Sequence, residues 1–506
     1  MATGITIAGS RREQKDLSHW MDRVLKELEK VRANPDMDAV HHLRVALRRC
    51  RSLGAVIEEV DPHAAWPQMR RLARKLFRAL GELRDAQVLE EWVRKLSAES
   101  DPLRQRLLES LKRKENELRE NALRIAEQFD QKKWKKAERQ LRSRARLVPA
   151  ESPAAACLAL QRLESAKDLH ARALRSEKPK PWHELRIGLK RFRYTVESLL
   201  PEHYETWGSD LKHVQDLLGD VHDLDVLAGS IAQLHEGVAE ESRATWTQRI
   251  SRERENRLNE YRELTQGKSS LWHDWREGLP QDRKLDAAVL ARQRATARAM
   301  DRNYPRSALI ATLATRIYDA LTRVSAAPVF EREDLRRIMT GAARLHGIGS
   351  ALDSAAPQKA ARNFLRKMDA PPSWLPEEWN LLTLVVCYHR GVQPKEKHKA
   401  YARLTPADQT AVSAMAGVLR LARVLRKCGI VTAKGLRVEK SVDAILISAA
   451  GLGDSEEIAA RLAAGKHLLE TVVGRPVILR ALPVAGNIVE LPQRQSAHQQ
   501  SAAASG

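Results

Sequence analysis

Apolar residues recur at helical spacing along most of the chain, and two stretches repeat one pattern on both of their faces. From His41 the sequence reads HHLRVALRRCR, and from His183, 142 residues later, it reads HELRIGLKRFR. Leu43, Leu47, Cys50 and Gly54 match Leu185, Leu189, Phe192 and Val196 as one apolar row. On the other side His41, Arg44, Arg48 and Arg51 match His183, Arg186, Lys190 and Arg193, and at 3.6 residues per turn those offsets fall within an arc of about 80°. Each stretch is predicted to be an amphipathic helix with one face for a core and a ridge of cations opposite.

The flanking pattern predicts more helices. One runs from Asp16 to about Ala33 and stops near Asn34-Pro35; Asp36 or Asp38 can cap the first cationic helix, which runs to about Glu59. A third helix spans Trp66 to about Leu96, and a long charged one opens at Asp101-Pro102 and continues to about Arg146 through the basic run KKWKK. After the linker LVPAESPAA the plan repeats: a helix from about Ala154 to Arg175, the second cationic helix opening at Trp182 and His183 and ending at Pro201, the stretch LKHVQDLLGDVHDLDVLAG, an amphipathic helix to about Thr265, and a short Trp-bearing segment. Leu80-Gly81 and Asp85 correspond to Leu218-Gly219 and Asp223. The glycines are expected at a helix crossing or kink, and each Asp to cap or hold a basic neighbour. Residues 16–280 thus read as two similar halves, 16–146 and 154–280, of a pseudo-symmetric helical bundle whose cationic ridges line a shared groove.

From about 284 to 484 the pattern changes. Helices over Lys284–Met300, Ala308–Val324 and Asp334–Leu345 are followed by GLRVEKSVDAILISAAG with the character of a hairpin, a helix from Asp454 to Val473, and a last strand in RPVILRAL. The fold class is mainly α, with a small terminal sheet. Residues 1–15 read as a leader, and 485–506 as a disordered tail.

Charge sharpens this picture. The 506 residues carry 22 more Lys and Arg than Asp and Glu, with a pI near 10.0. Like charges at i,i+3 and i,i+4 cost an isolated helix about 0.2–0.5 kcal/mol per pair. Such a ridge placed twice calls for something acidic: internal partners such as Glu58, Glu59 or Asp85, or an anionic ligand, whether nucleic acid, an acidic membrane surface or another polyanion. Cys50, Cys157, Cys387 and Cys428 form no C-x-x-C pair, so neither a thiolate zinc site nor a disulfide framework is indicated. No apolar run approaches the length of a membrane span. A reducing, cytoplasmic compartment is expected.

The paired His-x-x-Arg-x-x-x-(Arg/Lys)-Arg-x-Arg motifs, each followed by LGELRD or LGDVHD, resemble the conserved histidine α-helical domain, the CHAD family, over roughly residues 16–280. That resemblance implies an inorganic polyphosphate-binding module whose basic residues line a central channel. The implied ligand-binding residues are His41, Arg44, Arg48, Arg49, Arg51, His183, Arg186, Lys190, Arg191, Arg193 and Tyr194. The chemistry agrees: arginine presents a planar fork to phosphate oxygens, and a ten-residue ridge is about 15 Å long, enough to meet several phosphates. The histidines are expected to titrate near neutral pH and to tighten binding as pH falls.

The later region resembles the C-terminal, HD-like domain of the exopolyphosphatase and guanosine pentaphosphate phosphatase family through ARLHGIGSALDSAAPQKAARNFL, VVCYHRG, VLRLARVLRK and GRPVIL. It departs where a metal would be held: Gly347 follows His346, Lys359 stands where that family tends to carry His, and Arg423 stands where Asp is expected. A cation repels a metal, so metal-dependent hydrolysis is not expected there. His389, Arg390, Arg420, Arg423, Arg426 and Lys427 are the candidates for retained phosphate affinity.

The leading expectation is a non-catalytic polyphosphate-binding protein, acting in targeting, storage or regulation, associated with polyphosphate granules and needing no cofactor or metal. One alternative is nucleic-acid binding through the same basic surface, with KKWKK supplying an aromatic; serial exposed aromatics, which base stacking wants, are few. The other is a polyphosphate or triphosphate hydrolase, which requires a carboxylate-held divalent ion.

Overall fold

The computed structural model describes residues 16–233, 239–453 and 455–482. The leader and the tail from 485 lie outside the described residues.

Among the described residues, eleven α-helices order the chain as far as Met300: α1 (Leu17–Ala33), α2 (Met37–Ile57), α3 (Ala65–Leu96), α4 (Pro102–Glu127), α5 (Gln131–Leu141), α6 (Pro153–Leu174), α7 (Pro179–Leu199), α8 (Pro201–Ala232), α9 (Glu240–Thr265), α10 (Leu271–Glu277) and α11 (Asp282–Met300). The duplication is visible in their lengths. Helices α2 and α7 each have 21 residues, α3 and α8 each 32, and α4 and α9 each 26. The first cationic helix starts where Asp36 accepts a hydrogen bond from the Ala39 amide at 2.7 Å. The second starts earlier than expected, at Pro179, whose missing amide costs nothing in the first turn. Pro201 opens α8 in the same way, so the stretch around Gly219 is the interior of one long helix.

The expected long helix from Pro102 to Arg146 is instead two. Asp130 accepts the Lys133 amide at 2.9 Å and starts α5 afresh, and Phe129 in the break packs on Trp134 with ring centroids 5.5 Å apart. Trp134 of the KKWKK run is fully buried, its indole donating to the Met21 carbonyl at 3.0 Å. That aromatic is core, not a stacking platform.

The apolar rows are buried as patterned: Leu43, Leu47 and Cys50 on α2, and Leu185, Leu189, Phe192 and Val196 on α7. Each such large side chain contributes about 1.5–3 kcal/mol by leaving water. The halves join along α2 against α7 and α3 against α8. One cluster mixes Leu89, Trp92, Val93, Leu103 and Leu107 with Leu224, Leu227, Ile231, Trp246 and Ile250.

By contacts the chain divides into two compact units. One comprises the described residues up to Ser307 together with Arg344–Cys387; the other comprises Ala308–Ala343 and the described residues from Tyr388 onward. This division differs from the boundary near 284 that the sequence suggests. The reason is packing: α11 lies along α6, and residues 344–387, including α14 (Pro357–Leu365) and most of α15 (Pro376–Tyr388), make their contacts within the first unit.

Helices α12 (Tyr304–Arg323) and α13 (Leu335–Leu345) cross the unit boundaries in sequence, and the second unit continues with α16 (Lys399–Ala402), α17 (Pro406–Lys427) and α18 (Glu456–Val473). Its sheet has β1 (Arg437–Lys440), β2 (Ile445–Ala450) and β3 (Val477–Leu482), with β2 central. The expected hairpin is β1–β2, antiparallel with Val438 opposite Ile447; β3 returns parallel to β2 through α18, with Ile447 opposite Leu479. Helix α18 packs on α17 so closely that a Cβ on Gly417 would lie 2.9 Å from the Leu469 amide nitrogen.

Candidate functional site

Helices α2 and α7 pack against each other in the first unit and bring their charged rows together. The Lys190 ammonium is held down to about 8, by burial first, then by Arg186, with Arg48 and Arg44 of the other half also contributing and Asp223 opposing. Lys190 thus feels cations from both halves of the bundle. Arg48 lies over the ring of Tyr194, 5.0 Å from its centroid, and Arg193 approaches the same ring at 5.8 Å. Arg44 and Arg51 both lie over Phe77 of α3, at 5.6 and 4.6 Å.

The ridge cations are not tied into ion pairs by the acids expected to hold them. Glu58 pairs with Arg70 and Glu59 with Arg162, neither of them ridge residues. Among the described residues no carboxylate forms an ion pair with Arg44, Arg48, Arg51, Arg186 or Lys190. Arg44 Nη1, Arg48 Nε and Arg186 Nε are shielded from solvent without a hydrogen-bond partner. An unsatisfied buried donor costs about 1–3 kcal/mol, more when charged; Arg49 Nε and Arg193 Nε are in the same state, as are arginines remote from the ridge such as Arg119 and Arg292.

The site's own acids are Asp85 and Asp223, which cap nothing. Asp85 is the main attractive charge on Arg44. Asp223 is raised to about 6, by burial first; Arg186 opposes the shift and Asp85 and Asp220 add to it. The two matched aspartates thus lie near enough to act on each other, Asp85 beside Arg44 and Asp223 beside Arg186 and Lys190.

The glycine matched in the two halves does two different jobs. A Cβ on Gly81 would stand 2.9 Å from Arg44 Nη1, so Gly81 makes the seat in which the guanidinium rests. Gly219 has nothing within 4 Å of the same position and opens into a cleft of about 460 Å³ between α3, α7 and α8, whose wall balances Arg84, Lys95, Arg186 and Lys190 against Glu91, Asp216, Asp220 and Asp223. Neither glycine lies against the backbone of a neighbouring helix, as a tight crossing would require.

The histidines sit at the rim. His41 is exposed and His183 half-buried. His41 is lowered by burial, then by His42, Arg48, Arg84 and Arg44. His183 is lowered by burial, then by Arg186 and Lys190, and its Nδ1 lies 3.3 Å from His222 Nδ1. His222 is pushed to about 4, by burial first and then by Arg186 and His183. The expected titration near neutrality is therefore shifted to lower pH, because burial and cations both disfavour the imidazolium. His222, like Arg84, belongs to the second motif of its half, where a position-by-position match between the halves would have found it.

Three of the expected site residues stand apart. Arg49 lies about 140° around α2 from Arg44; it forms an ion pair with Glu197 of α7 and stacks on Trp20 at 5.1 Å. Arg191 is its counterpart and is exposed. Arg193 is 8% exposed and donates to the Tyr204 hydroxyl at 3.2 Å.

In the later region, His346 is buried and a side chain begun at Gly347 would run into the Asp301 carboxylate, which accepts from the Asn303 amide at 2.9 Å. Lys359 and Arg362 lie near Cys387. His389 is 2% exposed, and Arg420 donates to the carbonyls of Tyr388, Gly391 and Val392 at the end of α15, at 2.8 to 3.0 Å. These two do not offer themselves to a ligand. Among the described residues no three His, Cys, Asp or Glu side chains converge as they would around a metal ion, and no helix is long and apolar enough to cross a membrane.

Residues 16–232 match the CHAD domain model, and residues 292–445 match the model of Ppx/GppA phosphatase, domain III. Among solved structures, the CHAD domain from the plant Ricinus communis aligns with 53% of this chain and 90% of its own, at 21% identity and a TM-score of 0.35. No curated protein matches the chain. The two family-model matches thus fall on separate stretches, the N-terminal one similar to a CHAD domain and the later one to domain III of Ppx/GppA phosphatases.

Proposed function

We propose that the protein binds inorganic polyphosphate without turning it over, by laying the chain in the trough between α2 and α7. The observation that carries this reading is the meeting of Arg44, Arg48, Arg186 and Lys190 from two duplicated helices, with guanidinium nitrogens left without acceptors. A linear polyanion supplies acceptors at regular spacing and releases counterions as it binds. Arg44, Arg48, Arg51, Arg186 and Lys190 are the principal ligands in this reading. Tyr194 orients Arg48, His41 and His183 serve the rim, Arg193 supports Tyr194, and Arg49 and Arg191 take no direct part.

The non-catalytic part of the reading rests on the sequence of the later region, where Gly347, Lys359 and Arg423 stand at positions that a metal site would give to Asp, His and Asp. Nucleic acid is the weaker reading, since Trp134 is withdrawn into the core. A cytoplasmic role at polyphosphate granules, in targeting, storage or regulation, follows as part of the same proposal.

Titration of the full-length protein with labelled long-chain polyphosphate in rising salt tests it. Affinity should fall with a log–log slope of several units, competing RNA should displace the label weakly, and magnesium or manganese should bring no phosphate release. Displacement by RNA at equal phosphate concentration, or steady phosphate release, overturns the reading.

A further inference from the structure

The two halves match closely, but the cationic rows around the proposed binding site are lopsided. On α3, Arg70, Arg74, Phe77, Gly81 and Arg84 fall within about 80° of arc. That row faces the ridge of α2: Arg44 and Arg51 lie over Phe77, and Arg44 rests in the seat at Gly81. The charged neighbours of the Arg51 guanidinium are Arg70 and Arg74, and Arg84 is among those of His41. Arg70 is paired with Glu58, and Arg84 with Glu91 at 3.2 Å. Arg74 is exposed and, among the described residues, forms no ion pair.

Setting Gly81 on Gly219 and Asp85 on Asp223, the same row of α8 reads Gly208, Lys212, Gln215, Gly219 and His222. Lys212 is tied to Asp216 at 3.0 Å on its own helix. Three guanidinium positions in the first half thus correspond to a glycine, a self-paired lysine and an imidazole in the second. Packing accounts for two of the three differences, since a side chain at Gly208 would crowd the Tyr204 ring and His222 packs on His183; it does not account for the third, since Arg74 and Lys212 are both exposed. What differs is the charge shown to a ligand lying along the groove. From Arg70 to Arg84 the row is about 21 Å long, against about 15 Å for the ridge of α2.

We propose that a long polyanion leaves the central trough over the first half only, along a second track on α3 where Arg74, beside Arg51 and Arg70, takes phosphates that a short anion does not reach. This rests on the polyphosphate reading and adds a direction and a chain-length dependence to it. Each extra guanidinium that meets a phosphate releases another counterion, so affinity keeps rising with length beyond the span of the central site.

The test compares the full-length protein with its Arg74→Gln, Arg74→Glu and Lys212→Gln variants, each titrated with inorganic triphosphate and with long-chain polyphosphate at several salt concentrations. For triphosphate all four should agree within about twofold. For the long chain, Arg74→Gln should weaken binding about three- to tenfold and lower the salt slope by about 0.7–0.9. Arg74→Glu should weaken it further, and Lys212→Gln should stay within about twofold of the parent. Equal losses at Arg74 and Lys212, no loss at Arg74, or the same loss for triphosphate overturns the one-sided track and leaves the polyphosphate reading standing. Absence of binding by the unmodified protein overturns that reading, and the track with it.

Discussion

Arg48 and Tyr194 come from different halves of the duplicated bundle, yet the guanidinium of one lies 5.0 Å from the ring centroid of the other. A planar cation stacked on an aromatic face keeps its N–H edge free to meet an anion. Arg48→Ala should therefore weaken polyphosphate binding about 10- to 100-fold, the worth of one strong charge-assisted contact. Tyr194→Phe should change it little, because the face is kept, and Tyr194→Ala should cost about three- to tenfold by freeing Arg48. Fluorescence anisotropy with labelled polyphosphate reads all three.

The glycine pair separates seat from opening. Gly81→Ala places a methyl 2.9 Å from Arg44 Nη1 and must push that guanidinium aside, so binding should weaken about three- to tenfold. Gly219→Ala meets open space and gains the helix preference of alanine, about 0.5–1 kcal/mol of stability. Chemical denaturation and anisotropy on both variants give the comparison.

Arg49 and Glu197 tie α2 to α7 beneath the ridge, with side chains 19% and 7% exposed. Removing one partner strands a largely buried charge. Arg49→Ala should lower stability by about 1–3 kcal/mol, less than for a fully buried pair because Arg49 keeps some solvent. Arg191→Ala, at the matched exposed position, should change stability by less than about 0.5 kcal/mol. Urea midpoints measure both.

The pH dependence has a definite sign. Lys190 titrates near 8 and Asp223 near 6 in the folded protein. As pH rises through about 6 the Asp223 carboxylate gains its charge beside Arg186 and Lys190, and through about 8 the Lys190 ammonium loses its own. Both changes oppose an anion, so affinity should fall across both steps, and Lys190→Met should remove the step near 8. For the fold itself, Lys190 lies below its ordinary 10.5, so the unfolded chain holds more protons between about 8 and 10.5 and this group adds stability as pH rises there. Asp223 lies above 3.8, so the folded chain holds more protons between that value and about 6, and its contribution falls as pH rises through that window. Dissociation constants and melting temperatures at pH 5, 7 and 9 check both signs.

The repeated helices were legible in the sequence because each carries two independent patterns, an apolar row and a cationic row, in the same register. The sheet was legible because β1 and β2 lie on either side of a short turn and β3 follows a capped helix. Partner choice was not legible. Helical periodicity says which face of α2 is apolar, but it cannot say that Arg49, off the ridge by about 140°, finds Glu197 148 residues away. The same blindness hid the seat at Gly81, since Gly219 has the same sequence context and an open surround. The break at Phe129 was missed because no Pro or Gly marks it; Asp130 alone restarts the helix. The two-unit division was missed because α11 and residues 344–387 choose their packing by fit, which amphipathic pattern does not encode.

The central claim is that the two halves make one site. Isothermal titration with polyphosphate of defined length, applied to the unmodified protein, Arg48→Ala and Arg186→Ala, tests it most directly. One ligand per chain is predicted, with each variant weakening that same event and neither changing its stoichiometry. Two binding events per chain, one abolished by each variant while the other keeps its original affinity, would contradict a shared trough.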